Sequence, residues 1–142
     1  MKRRGIGRGR VVLSAGAVFI AIGSFAPWWT LGGTVTARLS GNAFDGVGAL
    51  CFIAAVLIVA LVVLPFATRS GEAGLDRPLS YVALTALAVG AYVLRAVEIY
   101  NFGGISLPPQ APGLWLAGLG MAIIVWGVVE LLGERPRRDW YG

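Results

Sequence analysis

Histidine is absent from this 142-residue chain, and cysteine occurs once, as Cys51. Zinc sites built on Cys and His are excluded, and so is acid–base catalysis by imidazole. A single cysteine cannot close an internal disulfide. Cys51 reads as a small apolar packing residue, with a disulfide between subunits as the alternative. Charge is scarce too: 13% of residues are charged against 57% hydrophobic, whereas soluble domains carry about 25% charged residues. No polar window can hold a second domain; the longest connection, 30–46, is too short for a core of its own. Within the apolar segments no nucleophile stands beside a base and no two carboxylates share a depth, so nothing meets the geometry of an active site. The chain is expected to be non-catalytic and to use no cofactor or metal.

Apolar sequence takes the place of all this. Four stretches, near Val11–Trp29, Val47–Ala67, Leu79–Tyr100 and Leu114–Leu132, are each about twenty residues long. At about 1.5 Å of rise per residue, each helix covers the roughly 30 Å hydrocarbon core of a bilayer. The expected fold is an all-α membrane protein. A four-transmembrane-helix antiparallel bundle occupies 11–132, with a basic tail at 1–10 and a second tail at 133–142. The short polar link between the second and third stretches favours antiparallel neighbours.

A net charge of +5 raises the question of nucleic acid. The distribution of charge answers it. Ten of the twelve basic residues lie before the first stretch, between the second and third, or after the fourth. That is the positive-inside pattern of a membrane protein with both termini cytoplasmic, and no nucleic-acid partner is expected. The basic start followed by an apolar run also resembles a secretory signal. Pro27 directly after Ala26, with bulky tryptophans beyond, is a poor cleavage context, so a retained first span is expected. Lys2, Arg3, Arg4, Arg8 and Arg10 serve as a topology signal. They also suit contact with an anionic inner leaflet, at about 1 kcal/mol per basic residue.

In lipid, small residues let helices approach closely. Ser14, Ala17, Ala21 and Ser24 place a small face on the first span. Gly113, Ala117, Gly120, Ile124 and Gly127 place a similar stripe on the fourth. These faces suit packing within the bundle, against a second copy, or against another membrane protein. Trp28 and Trp29 mark the outer interface, as does Trp115, while Trp140-Tyr141 rest at the inner one. Thr34–Leu39 alternates with period two, as a short strand or hairpin does. Asn42 or Asp45 caps the second span, and Asp76 caps the third, with Pro78 in its first turn.

One polar constellation stands out. Arg95 and Glu98 lie three residues apart on one face of the third span. Charge there is costly, so partners are expected. Two readings follow: a salt-bridged clasp between spans two and three, or an outer-leaflet polar pocket formed by Trp28, Trp29, Asp45, Arg95, Glu98 and Tyr100. Glu130, near the inner end of the fourth span, is expected to be a solvated interfacial carboxylate.

Pro27-Trp28-Trp29 closing span one and Asn42-Ala43-Phe44-Asp45-Gly46 opening span two resemble small tetraspan membrane proteins of high-GC bacteria. The resemblance implies four helices and a bacterial plasma membrane, and it supplies no activity. The expected role is an accessory, scaffold or interaction subunit of a membrane complex. The alternatives are an oligomeric small transporter or channel subunit, or an outer-leaflet lipid-binding protein.

Overall fold

A computed structural model of the chain describes residues 7–32, 39–67 and 78–134. Four helices make up its mass: α1 Arg8–Phe25, α2 Ala49–Ala67, α3 Pro78–Gly103 and α4 Pro112–Gly133. Helices α1, α3 and α4 are each long and apolar enough to cross a membrane. Helix α2 has 19 residues, with a shorter apolar segment at Ala49–Leu64.

The helix ends follow from local chemistry. Helix α1 starts at Arg8, earlier than its apolar pattern, because Glu134 reaches across from α4 and its Oε1 accepts from the Gly9 N–H at 2.9 Å. It stops at Phe25 because the residue before a proline is held out of the helical region; Ala26 is extended at φ −81°, ψ 159°. Helix α3 ends where Gly104 takes φ 85° and its N–H donates to the Tyr100 carbonyl at 2.9 Å, a left-handed cap that glycine adopts without strain. Helix α4 opens on Pro112, whose missing N–H would have no helical partner at that position.

Between α1 and α2 the chain makes a small hairpin. Strands β1 (Trp29–Leu31) and β2 (Leu39–Gly41) pair antiparallel, with Trp29 opposite Gly41 and Leu31 opposite Leu39. Of the strand expected at Thr34–Leu39, only Leu39 falls in β2; residues 34–38 lie outside the described residues, as do Lys2, Arg3, Arg4, Asp76 and Trp140-Tyr141. A 3₁₀ turn at Ala43–Asp45 follows the hairpin. Asn42 Oδ1 accepts from the Phe44 N–H at 3.0 Å, and Asp45 Oδ2 accepts from the Asn42 N–H at 2.8 Å. The cap expected on the second span therefore belongs to this turn. Helix α2 itself begins only at Ala49, after Gly46 and Gly48 have redirected the chain.

The closest packing in the molecule is the seam between α1 and α4. Gly9, Gly16 and Gly23 recur every seven residues on α1, and Gly113, Gly120 and Gly127 do so on α4. Each faces backbone of the other helix. A Cβ on Gly9 would stand 2.8 Å from the Leu131 nitrogen, one on Gly16 would stand 2.9 Å from the Gly120 carbonyl oxygen, and one on Gly23 would stand 2.9 Å from the Ala117 nitrogen. Position 9 meets 127, 16 meets 120 and 23 meets 113, so the two helices run antiparallel in one register. Seven-residue spacing keeps such contacts on a single seam. Leu13, Ala17, Ile20, Ala117 and Ile124 fill it between the glycines and are fully buried.

The face expected on the first span overlaps this seam in part. Ala17 and Ser24 are buried, but Ser14 and Ala21 are only half-buried. Ser24 donates its hydroxyl to the Ile20 carbonyl of its own helix at 2.8 Å. Glycine wins the contact because it alone leaves the backbone open to the neighbour. On α4 the expected residues Ala117, Gly120 and Gly127 are all buried. The other helices pack through side chains. Cys51, Ala54, Ala55, Ile58 and Val62 are the buried face of α2, and Tyr81, Thr85, Ala88, Ala91 and Ile99 that of α3. The Cys51 thiol donates to the Ala88 carbonyl at 3.5 Å, and Gly46 abuts Arg95, so α2 and α3 are antiparallel too.

Candidate functional site

The end of the molecule that carries the hairpin also carries the polar constellation. Arg95 lies in the last third of α3 with its side chain 12% exposed, and its Nη1 donates to Glu98 Oε2 at 2.8 Å. The pair sits on one helix, three residues apart, so it is not the inter-helix clasp expected between spans two and three. What links Arg95 to the α2 side is close packing on Gly46, where a Cβ would meet Nη1 at 2.9 Å. A larger residue at 46 would displace the guanidinium. The Arg95 Nε is buried and has no hydrogen-bond partner. An unpaired buried donor of this kind is costly in an apolar setting.

Beside Arg95 is a half-enclosed cavity of about 300 Å³. Strand β1 supplies Trp29, Thr30 and Leu31 to its wall, and the 3₁₀ turn supplies Asp45. Helix α3 adds Arg95, Ile99 and Phe102, and the segment after it adds Ser106. The wall is braced from outside. Thr30 Oγ1 donates to the Gln110 carbonyl at 2.6 Å, tying the hairpin to the α3–α4 connection, and Trp115 Nε1 donates to the Ser106 carbonyl at 2.9 Å.

Of the six residues expected to form a pocket, the fold brings Trp29, Asp45 and Arg95 to this wall, with Glu98 attached through its ion pair. Trp28 and Tyr100 are not part of it. Trp28 is fully buried instead of marking an interface. The break at Pro27 leaves α1 with unpaired terminal carbonyls; Trp28 folds back, and its Nε1 donates to the Gly23 carbonyl at 2.9 Å. Its ring also meets Tyr92 edge-on, with centroids 5.6 Å apart. Tyr100 points outward and is 65% exposed.

Sequence reasoning missed Thr30, Leu31, Ile99, Phe102 and Ser106. Ile99 and Phe102 follow Arg95 by four and seven residues, so helical spacing alone places them on its face. Thr30 and Leu31 arrive through the hairpin, which carries no comparable local signal.

The opposite end holds a second ionic group. Arg8 Nε lies 3.5 Å from Glu130 Oε1, which also accepts from Trp126 Nε1 at 2.9 Å. The Glu130 side chain is 20% exposed, and its Oε2 is buried without a partner. The solvated carboxylate expected there is thus a sheltered, paired one, because Trp126 lies one turn away and covers it. Glu130 and Glu134 end α4, where the helix dipole disfavours acids. They also face the start of α1, where the dipole favours them. Of the basic residues expected to touch anionic lipid, Arg8 is exposed and paired with Glu130, and Arg10 is half-buried.

Among the described residues no three His, Cys, Asp or Glu side chains gather as metal ligands would. Fold and site together define an all-helical protein with three helices suited to crossing a membrane and a mixed-charge cavity at one end. The chain matches no family model, no curated protein and no solved structure.

Proposed function

We propose that this is a multi-pass protein of a bacterial plasma membrane that works without catalysis, as a scaffold or accessory subunit of a membrane complex. In this reading α2 is the fourth span and both termini are cytoplasmic. The observation that carries it is the division between inside and outside of the bundle. Large apolar side chains point outward from every helix, including Phe19, Ile22, Ile53, Leu57, Leu94, Val97, Leu119 and Trp126. Water would not tolerate so much exposed apolar surface on a monomer. Lipid and partner helices suit it.

The interior favours an interaction subunit over a transporter. Leu13, Ile20, Ile58 and Ile124 fill it, and Ser24 and Thr85 are the buried polar residues among those described. Substrate paths at membrane depth are lined by polar or ionisable groups, and this core offers no such line. The span assignment of α2 rests on length: 19 residues rise about 28 Å, close to the roughly 30 Å core. The orientation rests on the sequence positions of the basic clusters, before the first span, between the second and third, and after the fourth.

Reporter fusions in the 68–77 link and after residue 134 test the topology. Cytoplasmic signal from both is expected, and periplasmic signal from either overturns it. Cross-linking in intact membranes, from cysteines placed at Leu94 or Trp126 in a Cys51→Ala background, tests the role. Discrete adducts to one partner or a second copy are expected, and uniform labelling by lipid alone rejects a scaffold.

A further inference from the structure

The cavity beside Arg95 has a charge pattern that narrows what can fill it. One guanidinium lines it, with one nitrogen held by Glu98 and the Nε buried and unsatisfied. One carboxylate, Asp45, stands in the wall with one oxygen committed to the Asn42 N–H, while Glu98 is engaged by Arg95 and is not part of the wall. A bare anion would suit the guanidinium but face Asp45. A bare cation would suit Asp45 but face the guanidinium. A ligand carrying both charges on adjacent groups answers both needs. Its phosphate would lie against the part of the Arg95 guanidinium that lines the cavity and take charge-assisted hydrogen bonds from it. Its cation would lie toward Asp45, beside the Trp29 ring, whose face attracts ammonium groups.

Size and rim point the same way. About 300 Å³ is at the small end of ligand sites and suits a headgroup, not a whole lipid. Leu31 and Phe102 form an apolar rim and are 50% and 86% exposed. Acyl chains leaving the cavity would meet hydrocarbon-like surface at once. We propose that this cavity binds the headgroup of a zwitterionic phospholipid, with its phosphate on Arg95 and its ammonium toward Asp45. The proposal rests on the membrane reading above.

The test uses full-length protein purified in mild detergent and titrated with phosphatidylethanolamine or phosphatidylglycerol. Retained lipid is counted by native mass spectrometry, and folding is followed by circular dichroism. Phosphatidylethanolamine should be retained at least about tenfold better than phosphatidylglycerol. Arg95→Gln should abolish that preference. Because Arg95→Gln can disturb folding, Gly103→Leu is the second variant. A Cβ at Gly103 meets only the Leu31 Cδ2 at 3.6 Å, an ordinary contact, so the added side chain enters the cavity without disturbing the ion pair. It should melt as the wild type does and lose the retained lipid.

Unchanged retention in folded Gly103→Leu overturns the site, and equal or better retention of phosphatidylglycerol overturns the zwitterion. Soluble glycerophosphoethanolamine distinguishes the source. If it competes, the headgroup alone is recognised; if it does not, the membrane-bound lipid is the ligand. A chain recovered in the soluble fraction sinks the membrane reading itself, a result distinct from a membrane-bound chain without lipid preference.

Discussion

Gly16 and Gly103 lack the same atom to different ends. At the α1–α4 seam the missing side chain lets two backbones meet, and a Cβ at Gly16 would reach the Ile124 nitrogen and the Gly120 carbonyl at 2.9 Å. At the hairpin end the missing side chain leaves space, and a Cβ at Gly103 would touch one methyl group at 3.6 Å. The seam is closed, repetitive and apolar. The corner is open, irregular and charged. The lesson is that glycine content says little by itself. Whether a glycine serves contact or vacancy depends on the register of the helix opposite, which a single chain segment does not display.

The contrast can be broken most forcefully at the seam. Gly16→Leu should cost about 3 kcal/mol, the upper range for overpacking, because backbone on both sides cannot yield. A large fall in the melting temperature of the purified protein is the measurement, and a wild-type melt would mean that the helices separate in lipid. Trp28→Phe comes next. It keeps the buried ring but strands the Gly23 carbonyl, which should cost about 2 kcal/mol. If it melts like the wild type, the indole bond does not hold the end of α1.

Glu134→Ala removes the acceptor for the Gly9 N–H and should cost about 1 kcal/mol, as the loss of a helix cap does. Faster amide exchange over the first turn of α1 would confirm the cause, and exchange unchanged at Gly9 would refute it. Gly103→Leu should have the smallest effect, within about 0.5 kcal/mol of wild type. A cost as large as that of Gly16→Leu would erase the distinction between seam and corner.

Much of the helical layout was legible because hydrophobic length is a local property. The stretches at Val11–Trp29, Val47–Ala67, Leu79–Tyr100 and Leu114–Leu132 correspond to α1 through α4, with ends displaced by a few residues. The displacements have local and distant causes. Pro27 and Gly104 act on their own neighbours and were visible in principle. Glu134 capping α1 lies 125 positions from Gly9 and was not. The glycine seam of α1 went unrecognised for a related reason. Ser14, Ala17, Ala21 and Ser24 are small on one helix taken alone. The seven-residue spacing of Gly9, Gly16 and Gly23 gains meaning only when set against that of Gly113, Gly120 and Gly127.

At the site, Arg95 and Glu98 were recognisable because charges among apolar residues are expensive. Asp45 and Trp29 were expected there from their shared depth. Leu31 and Thr30 depended on a hairpin whose central residues 33–38 lie outside the described structure. Trp28 was mistaken for an interfacial anchor because neighbouring tryptophans look alike in sequence. A proline turn sends one inward and the other to the cavity wall.

The first helix finds its closest neighbour in the last one, and its opening turn is completed by a carboxylate just past that neighbour's end. During synthesis the glycine-lined side of the first helix must therefore wait, unmatched, until about a hundred further residues have emerged. A ribosome stalled before Gly113 would leave that strip bare to any other small-faced helix nearby. Newborn chains shortened at this point should be the ones that quality-control proteases remove first.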